Sequence, residues 1–262
     1  LGGGAESYLA ETMYFVDNGW RVFSFDCTGS HESEGKGTIG LPQSVLDLNA
    51  ALSYIESDSS LDDLPVMLCG HSWGGYAVAA VLNYGHDITA AASIAGFNAP
   101  MGILFERATK MMGAFAYLEY PFLWAYQTML FGRAARLTAV DGINSADTAV
   151  MIIHGDKDTT VSYDKAGIIA HRGEITNPNV VYKTCTAENH NGHRNLFRSE
   201  AAAEYINEEN RVYQELYDFY NGSIPDDVLA GYYADVDRAQ ASELDAGFMD
   251  EINRFFEHRL SD

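Results

Sequence analysis

The sequence predicts an α/β protein built on a mostly parallel central sheet with helices on both faces. Three observations predict it. Short apolar runs alternate with stretches whose apolar residues recur at helical spacing, the pattern of strands joined by crossover helices. A glycine-flanked serine, Gly70-His71-Ser72-Trp73-Gly74, stands between one apolar run and an alanine-rich stretch. The 262 residues, 47% of them hydrophobic, suffice to bury a core without staples, and no repeat at solenoid period interrupts them.

Residues 6–18 place Leu9, Thr12, Met13 and Val16 on one helical face, and Gly19 is a natural stop. Residues 21–26 read as a strand. A glycine-bearing loop covers 35–40, and Pro42 opens a helix carrying Val45, Leu48, Leu52 and Ile55. Residues 66–69 form a short buried strand ending in Cys69, expected to be a small core residue. The helix after Ser72 includes residues 77–82. Further strands are expected at 88–95, 149–153 and 180–184.

Two stretches break the alternation. Residues 98–144 are rich in aromatics and methionine and read as a helical insertion. Residues 200–220 form an amphipathic helix with Tyr205, Ile206, Tyr213, Leu216, Tyr217 and Tyr220 on one side, closed by Asn221-Gly222. The last helix carries Leu244, Phe248, Ile252, Phe256 and Leu260 at steps of four. The expected organisation is a core at 1–97 and 145–197, a lid or cap insertion at 98–144, an extra helical insertion at 198–243, and a C-terminal core helix at 244–262.

The formal charge of −21, from 37 acidic and 16 basic residues, argues against nucleic acid and anionic membrane surfaces as partners. The most apolar stretch, 111–131, is broken by Glu119, Pro121 and Gln127, so no membrane span is expected. Cys27, Cys69 and Cys185 form an odd, widely spaced set with no C-x-x-C pairing. They suggest neither a disulfide framework nor a zinc site, and favour a reducing, cytoplasmic compartment.

A serine on a sharp strand-to-helix turn exposes its hydroxyl above the sheet. The following helix then aims its positive end at any oxyanion formed there. A serine hydroxyl is a weak nucleophile and needs a base held by a carboxylate. The 149–153 strand leads into a loop holding both Asp156 and Asp158, either of which could be that acid or a turn-forming residue. After the 180–184 strand, His190 and His193 compete as base. Gly192 frees the loop to turn the His193 ring, which favours His193 and leaves His190 as a surface or supporting residue. His71 reads as filler beside the serine, and His154 as the close of a strand. His31, His86, His171 and His258 read as surface residues. The H-E-x-x-H spacing of a helical zinc site is missing.

These residues resemble the α/β-hydrolase superfamily, in particular its esterase, monoglyceride-lipase and serine-aminopeptidase-like members. Leu1-Gly2-Gly3-Gly4 is similar to the end of that family's oxyanion loop, and residues 24–35 to its D-x-R-G-x-G-x-S strand and loop. The runs at 70–74, 154–161 and 192–193 match its serine, acid and base motifs. The resemblance implies Ser72 as nucleophile, Asp158 rather than Asp156 as acid, and His193 as base. It also implies oxyanion donors at Trp73 and Leu1, with no cofactor and no metal. Ester hydrolysis through an acyl-enzyme is the expected activity on a small-molecule ester. Peptidase or amidase chemistry, acyl transfer and a non-catalytic binding module are the alternatives. Phe105, Met111, Met112, Phe115, Tyr117, Phe122, Trp124, Tyr126, Met129 and Phe131 either wall an apolar or aromatic acyl pocket or fix the insertion to the body.

The departures are specific. Thr28 stands where the family has Arg, and His31 where glycine is commoner. The 198–244 segment is longer than usual. In the family a strand preceding Leu1 lies between those carrying Asp26 and Cys69, so an upstream segment or companion chain is expected to complete the sheet.

Overall fold

The computed structural model describes residues 5–37, 39–61 and 64–260. Four parallel strands form the sheet: β1 (Met67–His71), β2 (Ala90–Ile94), β3 (Ala149–Gly155) and β4 (Val180–Cys185). Their spatial order repeats their chain order, with Met67 opposite Ala90, Ala90 opposite Ala149, and Val150 opposite Val180. All four strands therefore deliver their following loops to one edge, where chemistry collects in open parallel sheets.

β2 and β3 are buried along their whole length, which explains their largely apolar sequences, with Ser93 and His154 the polar exceptions. Leu68, Ala91, Val150 and Ile152 face α2 (Gln43–Ser57), α3 (Trp73–Ala80) and α6 (Ala139–Ser145). Ala90, Ala92, Ile94, Met151 and Ile153 face α1 (Leu9–Asp17) and α10 (Ala246–His258). The sheet is thus covered on both faces, as the fold class requires.

Local chemistry sets these helices. Asp245 accepts the Phe248 N–H at 3.0 Å and starts α10, whose buried stripe is Phe248, Met249, Ile252 and Phe256. Burying each such side chain contributes about 2 kcal/mol, mostly offset by lost chain entropy. Phe256 meets Phe15 of α1 with ring centroids 6.0 Å apart, and the Trp20 indole N–H donates to Asn253 Oδ1 at 2.7 Å.

The 98–144 stretch contains α4 (Pro100–Met112), α5 (Ala116–Phe131) and most of α6. Beyond β4 come α7 (Glu200–Phe219), α8 (Asp226–Asp235) and α9 (Arg238–Ala241). Arg198, just before α7, pairs with Glu11 of α1 at 3.1 Å. Among the described residues, no helix is long and apolar enough to cross a membrane, and no group of three or more metal-type side chains gathers.

Two expectations are corrected. Residues 21–26 join no strand; Val22 and Phe23 are exposed, and Phe23 stacks on Tyr54 of α2. A strand needs a hydrogen-bonded neighbour, and β1 pairs only with β2 among the described residues. Cys69 on β1 is exposed rather than in the core.

Candidate active site

The site begins with backbone geometry at the end of β1. Ser72 has φ 57° and ψ −110°, a left-handed conformation that costs energy for a residue with a side chain. Two neighbours make the turn possible. A Cβ on Gly70 would lie 2.3 Å from the Gly74 carbonyl oxygen, and one on Gly75 would lie 2.8 Å from that of Ile94. Gly74 itself has open space around its Cα, so Gly75 is the glycine that lets α3 approach β2. The Ser72 N–H donates to Ile94 O at 2.7 Å and locks the turn to the next strand. The Ser72 hydroxyl does not cap α3 and lies 2.8 Å from His193 Nε2 instead.

His193 Nδ1 lies 2.6 Å from Asp158 Oδ2. A carboxylate only accepts, so Nδ1 carries the hydrogen, and Nε2 presents its lone pair to the serine hydroxyl. The other Asp158 oxygen accepts the N–H groups of Thr160 at 2.8 Å and Val161 at 2.9 Å. Burial alone would raise the Asp158 pKa. Hydrogen bonds from His154 and His193 outweigh it and hold the carboxyl well below the usual range. The alternatives lie elsewhere: Asp156 accepts from Asn191 Nδ2 at 3.1 Å, and His190 Nε2 sits 2.9 Å from Glu200.

Trp73 follows Ser72 as the first residue of α3, and its indole N–H donates to Leu41 O at 2.6 Å. Leu1 lies outside the described residues. A Cβ on Gly40 would lie 2.7 Å from a Phe131 ring carbon, so the inner face of α5 sits against the loop that Trp73 holds. Most of the apolar residues read as pocket walls point outward, among them Met111, Phe115, Tyr117, Phe122 and Met129. Phe131 is buried.

Three residues here were not identified from the sequence as parts of the site. His71, read as filler, donates from Nε2 to the His193 carbonyl at 2.8 Å, and its Nδ1 accepts the Tyr8 hydroxyl at 2.8 Å. Burial, then the neighbouring His193, lower the His71 pKa to about 4, so its ring is neutral near neutral pH. His154, read only as the close of a strand, has no exposed surface. Its Nε2 donates to Val161 O at 2.9 Å and lies 3.3 Å from Asp158 Oδ2. Gly167 makes room for it, since a Cβ there would fall 2.8 Å from His154 Cε1. The i,i+4 spacing of His154 and Asp158 was the one available sequence signal. Tyr8 and His71 lie 63 positions apart and carried none. His86, read as a surface residue, instead has a largely buried side chain between Glu56 and Asn49.

The model of the prolyl oligopeptidase family matches residues 7–224. The chain belongs to the prolyl oligopeptidase family. No match was found among curated protein sequences. Solved structures similar to this prolyl oligopeptidase family chain include the Pyrococcus furiosus esterase Pf2001, at 19% identity and a TM-score of 0.52, covering 84% of this chain and 78% of that one. TT1662 from Thermus thermophilus is similar at 16% identity and a TM-score of 0.51, covering 74% and 79%. A lipase-esterase related protein from Clostridium acetobutylicum follows at 18% identity and a TM-score of 0.50, covering 80% and 89%. These likenesses show the α/β-hydrolase fold, and the family membership makes the chain a hydrolase.

Proposed function

We propose that this hydrolase cleaves carboxylic esters through an acyl-enzyme, with Ser72 as nucleophile, His193 as base and Asp158 as the acid that orients it. The observation that carries the reading is the unbroken hydrogen-bonded line from Ser72 Oγ through His193 to Asp158. His193 Nε2 takes the hydroxyl proton as Oγ bonds to the acyl carbon. The carbonyl oxygen becomes an oxyanion beside the Trp73 N–H. One such donor is worth about 3 kcal/mol at the transition state, and the Leu1 N–H is proposed as the second. His193 then protonates the departing alcohol oxygen as the C–O bond breaks. Water, deprotonated by the same nitrogen, releases the acid and restores Ser72.

The two further histidines act as positioning residues. His71, oriented by Tyr8, holds the backbone of the base, and His154 holds the loop of the acid. Both donate from Nε2, and His71, which also accepts at Nδ1, works in the neutral form. Residues 98–144 serve as the cap over this edge. Trp73 next to the serine, with the Leu41 loop and Phe131 that pack around it, favours an apolar or aromatic acyl group. The test is a panel of p-nitrophenyl esters of increasing chain length, with fluorophosphonate labelling at Ser72. Turnover with no label on Ser72 would overturn the assignment.

The family match favours a second reading, in which the same triad cleaves peptides or amides. Aminoacyl-anilides tested beside the esters separate the two. Anilide turnover exceeding that of the matched ester would select the peptidase.

A further inference from the structure

The outer face of α5 contradicts what a surface helix should be. Ala116, Gln127 and Phe131 are buried and define the inner face. On the opposite side lie Phe115, just before the helix, then Leu118, Phe122, Ala125, Tyr126 and Met129, all exposed. A solvent-facing helix normally shows charged and polar residues there. Here Glu119 is the single ionisable carboxylate or cation between 111 and 132 in a chain of net charge −21.

Two features say what covers this face. The spacing 115, 118, 122, 125, 129 alternates three and four residues, the seam by which one helix packs against another. Phe115, Leu118, Phe122, Tyr126 and Met129 are 71%, 67%, 71%, 52% and 75% exposed. That is roughly 800 Å², above the ~300–600 Å² of the largest patch on an ordinary monomer and close to one partner's share of a stable interface. A lipid surface fits less well, because membrane-surface helices carry Lys and Arg along their polar side, and 111–132 has neither.

We propose that a second copy of this chain covers the face, with the two α5 helices antiparallel about a two-fold axis at Phe122. A two-fold contact is self-complementary, so residue i meets residue j and j meets i. Centring on Phe122 sets Phe115 against the second copy's Met129, a sulfur–aromatic contact, and Leu118 against its Tyr126. Glu119 then meets Ala125, and no like charges oppose each other. The association needs no reaction at Ser72, so it stands apart from the hydrolase reading.

The test is light-scattering mass of the full chain at micromolar concentration, with circular dichroism to confirm the fold. The wild type should be a dimer, and Phe122→Glu a folded monomer. Tyr54→Glu, an exposed aromatic on α2, should leave the dimer intact. Phe115→Glu and Met129→Lys should each weaken association at least tenfold, and the double variant should recover most of it. A monomeric wild type, a dimeric Phe122→Glu, or capture by phosphatidylcholine vesicles in place of self-association would overturn the proposal. Failure of the double variant to recover would overturn the antiparallel register.

Discussion

The carboxyl edge of the sheet and the outer face of α5 follow opposite rules. At the edge, polar groups are held several times over: Asp158 accepts from His193, Thr160 and Val161, and His71 joins Tyr8 to the His193 backbone. On α5 the outward residues are mostly large, apolar and exposed. The edge spends Ser72 strain and buried histidines on geometry, as sites that need preorganised groups do. The α5 face spends solubility. Substitution at the edge should therefore cost chemistry at nearly constant fold, whereas substitution on α5 should change association alone.

The sharpest way to break this contrast is Ser72→Ala. It should lower kcat/KM on activated esters by about 10⁴-fold or more, while the left-handed strain persists because alanine keeps the Cβ. Turnover near wild type would remove the edge from the chemistry. Next in size, Asp158→Asn should lower kcat by about 10⁴-fold through the wrong imidazole tautomer. Asp156→Asn, which keeps an oxygen able to accept from Asn191, should cost less than about tenfold. Equal losses in the two variants would mean that the acid had been misassigned.

A smaller effect concerns stability. His71 is half-buried, and desolvation with the neighbouring His193 holds its folded pKa at about 4. Between its unfolded pKa near 6.5 and about 4, the unfolded chain binds the extra proton and the folded chain does not. Its contribution is complete above about pH 6.5 and is lost as pH falls toward 4. Urea unfolding at pH 7 and pH 4.5 should show wild type losing about 2 kcal/mol more than His71→Asn over that interval. Parallel losses would place the acid sensitivity elsewhere. Smallest of all, Tyr8→Phe should cost about 1 kcal/mol, read as a few-fold fall in kcat with KM unchanged. A change in KM alone would move Tyr8 from positioning to binding.

Much of this was legible in residue order, for local reasons. The strands of the sheet were readable from short apolar runs, clearest in β2 and β3 because full burial makes them largely apolar. The Ser72 turn was readable because its glycines sit within three residues of it. Long-range features were not. Residues 21–26 have strand composition, yet a strand exists only with a neighbour, and composition cannot report one. His71 and His154 looked ordinary because their importance lies in which carbonyl or carboxylate they meet. Likewise, the aromatic content of α5 announced apolar contact without saying whether the ring faced inward or outward.

The packing of α1 on α10 has a consequence for how the molecule is made. Tyr14 bonds to Asp250, Trp20 to Asn253, and Phe15 meets Phe256, joining segments more than two hundred residues apart. During synthesis, α1 emerges with its apolar side bare and finds its mate only after more than two hundred further residues have been translated. That layer closes late, which leaves α1 exposed for longer to wrong partners and chaperones.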